Sequence, residues 1–449
     1  MNRRSIVAPL ILIALGGAFL ANNVLPDFQI FRMLATYWPF VLIAWGALRL
    51  VEVLALAATS RALPARGLGG GEIFLIVLIC FFGATTNAVS RHLPNFRIGS
   101  RGVDIFGESY DYPLEYQKPV ADKARIVLDN LRGNIRVTGG DAKELKITGR
   151  KTIRSYDRPS ADRINNDCKF EVATEGDRVV VRTNQERVAE NRHISADLEV
   201  SVPRGASIEG RGRYGDFDIT EIDGTVEIIS DNAGVRLSKL GGNAKIELGK
   251  SDIVRAVDVK GNVEITGKRT GGDVELENIQ GLATVTGSFS GNLDFKNLAK
   301  PFRFESSNTE MRVEKLPGHI NMNLGNLTLT NGVGPIRLTS RSKDIKVEEF
   351  TESLELDVQR GDIELRPAKT PLPKITARCR SVGNIELALP ASARFDLTAS
   401  TERGEARNDY GDPIKSETEG RAATLKGKAG SGPVIQVSTT RGSVTVRKE

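Results

Sequence analysis

Between Phe217 and Ile363 the chain repeats itself about every eighteen residues, and no other feature restricts its fold as strongly. Apolar-x-apolar pairs begin at Phe217, Val235, Ile253, Val274, Leu293, Met311, Leu327, Ile345 and Ile363. A second series runs half a period behind, at Val226, Ala244, Val263, Ala283, Phe302, Ile320, Ile336 and Leu354. Alternation inside each pair is the two-residue period of a strand, so every repeat contributes two short strands. Self-similarity of this length predicts a β-solenoid in which each coil stacks on the one before. Glycines stand two residues ahead of many anchors, as at Gly215, Gly261, Gly281 and Gly361. They mark corners where the backbone takes positive φ or packs closely.

Helical repeats need units of about 33 residues or more and a 3.6-residue period, and hexapeptide solenoids place apolar anchors every six residues. Here the main spacing is nine, and a coil holds about 18–19 residues with two principal strands. A further apolar residue follows many first anchors by five, at Ile222, Leu240, Ile279, Leu298, Leu316 and Phe350. The cross-section is therefore a flattened oval or a rounded triangle. The series puts Val274, Leu293 and Met311 in one stacked ladder, with Leu276, Phe295 and Val313 beside them. Strand patterns start at Ala124, break over about 152–196 in a charged excursion, and continue to Val444–Val446. Roughly fifteen coils at ~4.8 Å per strand make a rod on the order of 70 Å. Segments 103–123 and Arg403–Gly432 are candidates for covering its end or edge strands. A stack of coils this short is expected to leave no interior room for a ligand.

Charge divides the chain. Residues 1–101 hold nine Arg, no Lys and three acids, Asp27, Glu52 and Glu72, while the remainder balances 53 basic against 53 acidic residues. An electroneutral solenoid argues against nucleic acid, because phosphate binding needs a net basic face.

The first ninety residues read as membrane. Residues 6–25, 33–58 and 73–89 are each apolar and long enough to span, giving a bundle of three transmembrane α-helices and an integral place in the lipid bilayer. A cleaved signal peptide is the rival for the first segment, but Phe19 occupies the −3 position where a small residue belongs. The Arg3-Arg4 start places the N-terminus in the cytoplasm and, with three spans, the solenoid outside it. Arg49 and Glu52, one helical turn apart, read as an interfacial ion pair. Residues 91–123 form a connector, and 124–449 the solenoid.

Chemistry is sparse. No Cys or His has metal-ligand spacing, no cofactor loop is present, and Cys168 and Cys379 read as free thiols. Acid pairs such as Asp216/Asp218 and Glu275/Glu277 alternate on strands and face solvent. One stretch concentrates charge, with Lys143, Lys146, Arg150, Lys151, Arg154, Arg158 and Arg163 within 21 residues. It is the candidate contact for anionic headgroups or envelope polymers.

Two resemblances follow from particular residues. Pro9-Leu10-Ile11-Leu12, Ala21-Asn22-Asn23 and the helix opening on Trp38-Pro39-Phe40 resemble the paired-helix region of LiaI/LiaF-type bacterial envelope proteins. Val202-Pro203-Arg204-Gly205-Ala206 before Tyr214-Gly215-Asp216, and Leu389-Pro390-Ala391 before Arg403-Gly404-Glu405, resemble the bacterial "putative adhesin" β-solenoid domain. The resemblance implies a membrane-tethered envelope solenoid and carries over no catalytic residue. The expected function is non-enzymatic adhesion or scaffolding in the bacterial cell envelope, with anionic envelope polymers or another envelope protein as partner. The alternatives are an envelope-state sensor acting through its helices and, last, a polysaccharide-active enzyme.

Overall fold

The computed structural model describes residues 107–449 apart from 190 and 370, the strands Arg97–Gly99 and Gly102–Asp104, and scattered helical positions within 40–54 and 76–81. The chain divides into two compact units, residues 1–110 with 154–161 and residues 111–153 with 162–449. The expected span 6–25 lies outside the described residues, as do Arg49 and Glu52. Among the described residues no helix is long and apolar enough to cross a membrane. The described positions of the other two expected spans are helical, and Phe40, Ile43, Leu50, Val51, Leu54, Val77 and Phe81 all expose their apolar side chains.

The larger unit is an all-β stack of two parallel sheets facing each other across one apolar core. On the first sheet Phe217 pairs with Val235, Val235 with Val254, Val254 with Val274 and Val274 with Leu293. On the second, Val226, Ala244, Val263, Ala283 and Phe302 form the matching ladder. Inward residues are buried and their neighbours project outward, as the two-residue period dictates. No coil covers its own edges, so the core exists only through stacking.

One anchor moves by a residue. Ile253 is half-buried and Val254 takes the inward place. Ile253 shares its parity with Arg255, which belongs outside, whereas Val254 shares its parity with Ala256. At the corner the backbone turns through positive φ at Glu221, Lys239, Asp258, Asn278 and Asn297. The apolar residue that follows each of these, including Ile222, Leu240, Ile279 and Leu298, is buried. Asn297 Nδ2 donates to Asn278 Oδ1 (2.8 Å), and Asn278 Nδ2 to Asp258 Oδ1 (2.8 Å). Short Asn and Asp side chains tolerate the left-handed conformation and bond coil to coil.

The stack is not continuous. After Phe302–Glu305 the chain makes a hairpin and runs back as Thr309–Met322, antiparallel to both neighbouring coils. A second hairpin then restores the forward direction at Asn326–Thr330. Met311 therefore pairs with Phe304 and Leu338 on the second sheet, and Val313 with Phe302 and Ile336. Leu293 meets Met322, and Phe295 meets Ile320. The expected ladder Val274–Leu293–Met311 is thus wrong beyond Leu293. An apolar-x-apolar pair looks the same read in either direction, so periodicity cannot detect a reversed coil. The hairpins themselves carry turn residues, Ser306-Ser307-Asn308 and Asn323-Leu324-Gly325.

Both ends are built alike. The strands Arg178–Arg182 and Ile194–Pro203 stack outside the earlier strands Arg125–Arg132 and Ile135–Gly140. Antiparallel strands Glu144–Ser155 and Glu171–Glu175 then cover that coil, and Glu108–Pro119 pairs with Glu144–Ser155. At the other end Val434–Arg441 inserts between Lys374–Val382 and Phe395–Arg403. The hairpin Lys415–Glu419 with Ala422–Ala429 closes that end. The charged excursion therefore forms part of an end cap, and it includes a helix, Arg158–Asp167, that sequence periodicity did not suggest.

Candidate functional site

The basic stretch lies along the capping strand Glu144–Ser155 and the helix after it. Leu145, Ile147, Lys151 and Ile153 share the buried parity of the strand, while Lys146, Arg150 and Arg154 take the exposed parity. Lys143 is exposed ahead of the strand, and Arg158 and Arg163 are exposed on the helix. Arg150 lies 3.5 Å from Asp111, and the Arg158 guanidinium stacks 5.8 Å from the Tyr110 ring centroid.

Lys151 leaves the set of candidate contacts, because it is only 2% exposed. Its ammonium donates to the Cys168 carbonyl at 2.5 Å and the Asn165 carbonyl at 3.4 Å, and lies 3.6 Å from Cys168 Sγ. These carbonyls end the helix, where a cation is favoured by the helix dipole. Burial pushes the Lys151 pKa down and the Cys168 thiol up. The residue pins the helix to the cap. The signal was available in the sequence, since Ile147, Gly149, Lys151 and Ile153 fall on one parity between apolar residues.

Arg150 also lines a groove of about 520 Å³ on the outer face of the first sheet. The groove presents Arg136 and Arg236 together with Asp197, Glu199, Asp216 and Asp218. Arg136 pairs with Asp218 at 3.4 Å and Arg236 with Asp216 at 3.1 Å. The surface around Arg150 is therefore of mixed sign.

Mixed sign is the rule on the outer faces, where charges pair one coil apart. Lys239 meets Glu221 at 3.1 Å, Arg255 meets Glu275 at 3.2 Å, and Arg337 meets Glu355 at 2.8 Å. Each exposed pair contributes at most about 1 kcal/mol, so the pairs chiefly set sign and solubility. Glu209 differs, being 4% exposed between Arg125 (2.7 Å) and Arg211. Burial opposes its ionisation, but the hydrogen bonds from both guanidiniums outweigh that and hold the carboxyl below its ordinary range. His319 meets Asp294 on the outer face. Among the described residues no group of three His, Cys, Asp or Glu is placed to hold a metal ion, and Cys168 and Cys379 are buried free thiols.

The family model for Toastrack DUF4097 matches residues 123–447, and the LiaF transmembrane domain matches residues 7–93. Among solved structures, a "putative cell adhesion protein" from Clostridium sporogenes is 11% identical, with 75% of this chain and 100% of that chain covered at a TM-score of 0.16. A "putative adhesin" from Bacteroides fragilis is 13% identical, with 75% and 97% covered at a TM-score of 0.21. No curated protein matches the chain. With 123–447 matched through coils and both caps, the chain belongs to the Toastrack DUF4097 family, joined to a LiaF-type transmembrane region.

Proposed function

We propose that this chain is an integral envelope protein whose solenoid acts outside the cytoplasm as a non-enzymatic adhesion or scaffolding module. Spans at about 6–25, 33–58 and 73–89 anchor it with the N-terminus inside, a connector occupies 91–123, and the solenoid occupies 124–449. The observation that carries this reading is the joining of a LiaF-type transmembrane region to a Toastrack solenoid in one chain. Exposed Phe40, Leu50, Leu54 and Phe81 on helical positions suit a lipid-facing surface. A non-enzymatic role is supported by the acids themselves, since Asp216, Asp218 and Glu275 are each held by an arginine.

Contact with anionic headgroups or envelope polymers falls to Lys143, Lys146, Arg150, Arg154, Arg158 and Arg163, all exposed. Lys146→Ser with Arg163→Ser should weaken retention on anionic vesicles and leave retention on neutral vesicles unchanged. Retention that survives both substitutions and ~0.5 M salt would remove this surface from the proposal, since screening then acts within a few Å.

The LiaF match favours a second reading, a sensor of envelope state that signals through its helices. Protease added to intact spheroplasts tests the arrangement common to both readings. Digestion of the solenoid supports an outward domain, and complete protection refutes it.

A further inference from the structure

The reversed coil leaves the solenoid open at one corner. In ordinary coils the chain passes from the second sheet to the first through a short corner, such as the one before Gly291, whose added Cβ would lie 2.4 Å from the Gly272 carbonyl oxygen below. At the reversed coil no chain crosses there. The hairpins Ser306–Asn308 and Asn323–Gly325 turn back on either side. The next coil grips both, through Arg341 N to Asn308 O (2.9 Å) and Asp344 N to Gly325 O (2.8 Å). Between them is a cavity of about 260 Å³.

The cavity has two chemistries. Its floor is core: Leu293, Phe304 and Met322, each buried, with half-buried Phe289 at the side. Its rim carries Arg341 and Lys343, and no carboxylate lines it. Elsewhere on the outer faces cations such as Lys239, Arg255 and Arg337 pair with acids one coil away. Among the described residues neither Arg341 nor Lys343 has an acidic partner. Lys343 is 8% exposed, and its ammonium donates to the carbonyls of Asn323 and Leu324 (the latter at 3.2 Å). An ammonium has three donors, so one remains for a ligand. Burying a cation without a counter-ion is costly, and an anion seated here would offset that cost.

We propose that the seam cavity binds a small amphiphilic anion, a carboxylate- or phosphate-bearing molecule with a short apolar arm. The charged group lies between Arg341 and Lys343, and the arm enters over Phe304 and Met322. At about 260 Å³ the cavity falls just below the ~300–1,000 Å³ of sites for drug-sized ligands, which excludes a whole lipid. Leu324, 66% exposed at the mouth, supplies an apolar lip.

The test is calorimetric titration of the full chain, held in lipid nanodiscs, with hexanoate, inorganic phosphate and hexanol. Hexanoate should bind at least tenfold more tightly than phosphate or hexanol. Arg341→Ala and Lys343→Met should each reduce that affinity tenfold or more, and Arg337→Ala, on the paired outer face, should not change it. Arg341 is exposed, so its variant keeps the test valid even if Lys343→Met fails to fold. Hexanol binding as tightly as hexanoate would overturn the anion site, and phosphate binding as tightly would overturn the apolar arm. Hexanoate affinity unchanged in Arg341→Ala would overturn the placement. Loss of vesicle retention on substituting Lys146 and Arg163 leaves this proposal untouched, so the two fail separately.

Discussion

The run of coils from Phe217 to Glu305 and the single coil Thr309–Met322 share one apolar spacing and one core but differ in direction. Within the run the strands lie parallel to one another and corners stack backbone on backbone, and just ahead of it a buried charge is paired, Glu209 between Arg125 and Arg211. At the reversed coil the chain is antiparallel to its neighbours, one corner is replaced by two hairpins, and the buried charge beside it, Lys343 of the next coil, meets only carbonyls. The comparison teaches that periodicity fixes which residues face inward, whereas direction is fixed by turns.

The largest effect should come where the two regions touch. Phe295 is fully buried, its ring centroid 4.6 Å from Phe302, and it pairs with Ile320 of the reversed coil. Phe295→Ala should cost about 3–5 kcal/mol in urea unfolding followed by circular dichroism, whereas Leu324→Ala at the seam hairpin should stay within about 0.5 kcal/mol. Equal losses would mean the seam is packed like the run. Glycines sharpen the contrast next. A Cβ on Gly261 would sit 2.2 Å from the Gly242 carbonyl oxygen, whereas one on Gly325 would meet nothing closer than 3.9 Å. Gly261→Ala should therefore destabilise by about 1–3 kcal/mol, and Gly325→Ala should be nearly neutral in the same assay.

A smaller contrast lies in pH dependence. Burial lowers the Lys343 pKa, so between that value and about 10.5 the folded chain binds fewer protons than the unfolded one. Stability of the unsubstituted chain relative to Lys343→Met should therefore rise with pH through this alkaline window. Glu209 is held low, so its contribution is present above about 4.5 and is lost as pH falls through its folded value. Glu209→Gln should lose stability at neutral pH and little more on acidification. Parallel slopes for the two variants would contradict the assignment of one paired and one unpaired charge.

Much of the fold was legible because strand parity and repeat length are local properties. Val235, Leu293 and Ile363 read as inward and are buried. What was not legible is order in space. At one end a later coil lies outside an earlier one and at the other a later coil is inserted inside an earlier one, and Leu128 opposite Val181 is a pairing that no local pattern encodes. The reversal hid because Met311-x-Val313 reads the same backward. Of the basic candidates, Lys151 departs because it shares the inward parity of Ile147 and Ile153, which flank it. Arg341 and Lys343 carry no signal in the sequence, because an unpaired cation is recognisable only after its neighbours are placed.

The direction of the coil Thr309–Met322 is the claim on which the seam, its cavity and its charges all depend. Disulfide trapping tests it directly, using outward residues in two double variants. Asp294 opposes Asn321 across the antiparallel pair, whereas a forward-running coil would bring Arg312 opposite Asp294. Opposed Cα atoms in an antiparallel pair lie ~4.5–5.5 Å apart, within disulfide range. Under mild oxidation Asp294→Cys with Asn321→Cys should cross-link and Asp294→Cys with Arg312→Cys should not. Cross-linking of the second pair and not the first would contradict the reversed coil.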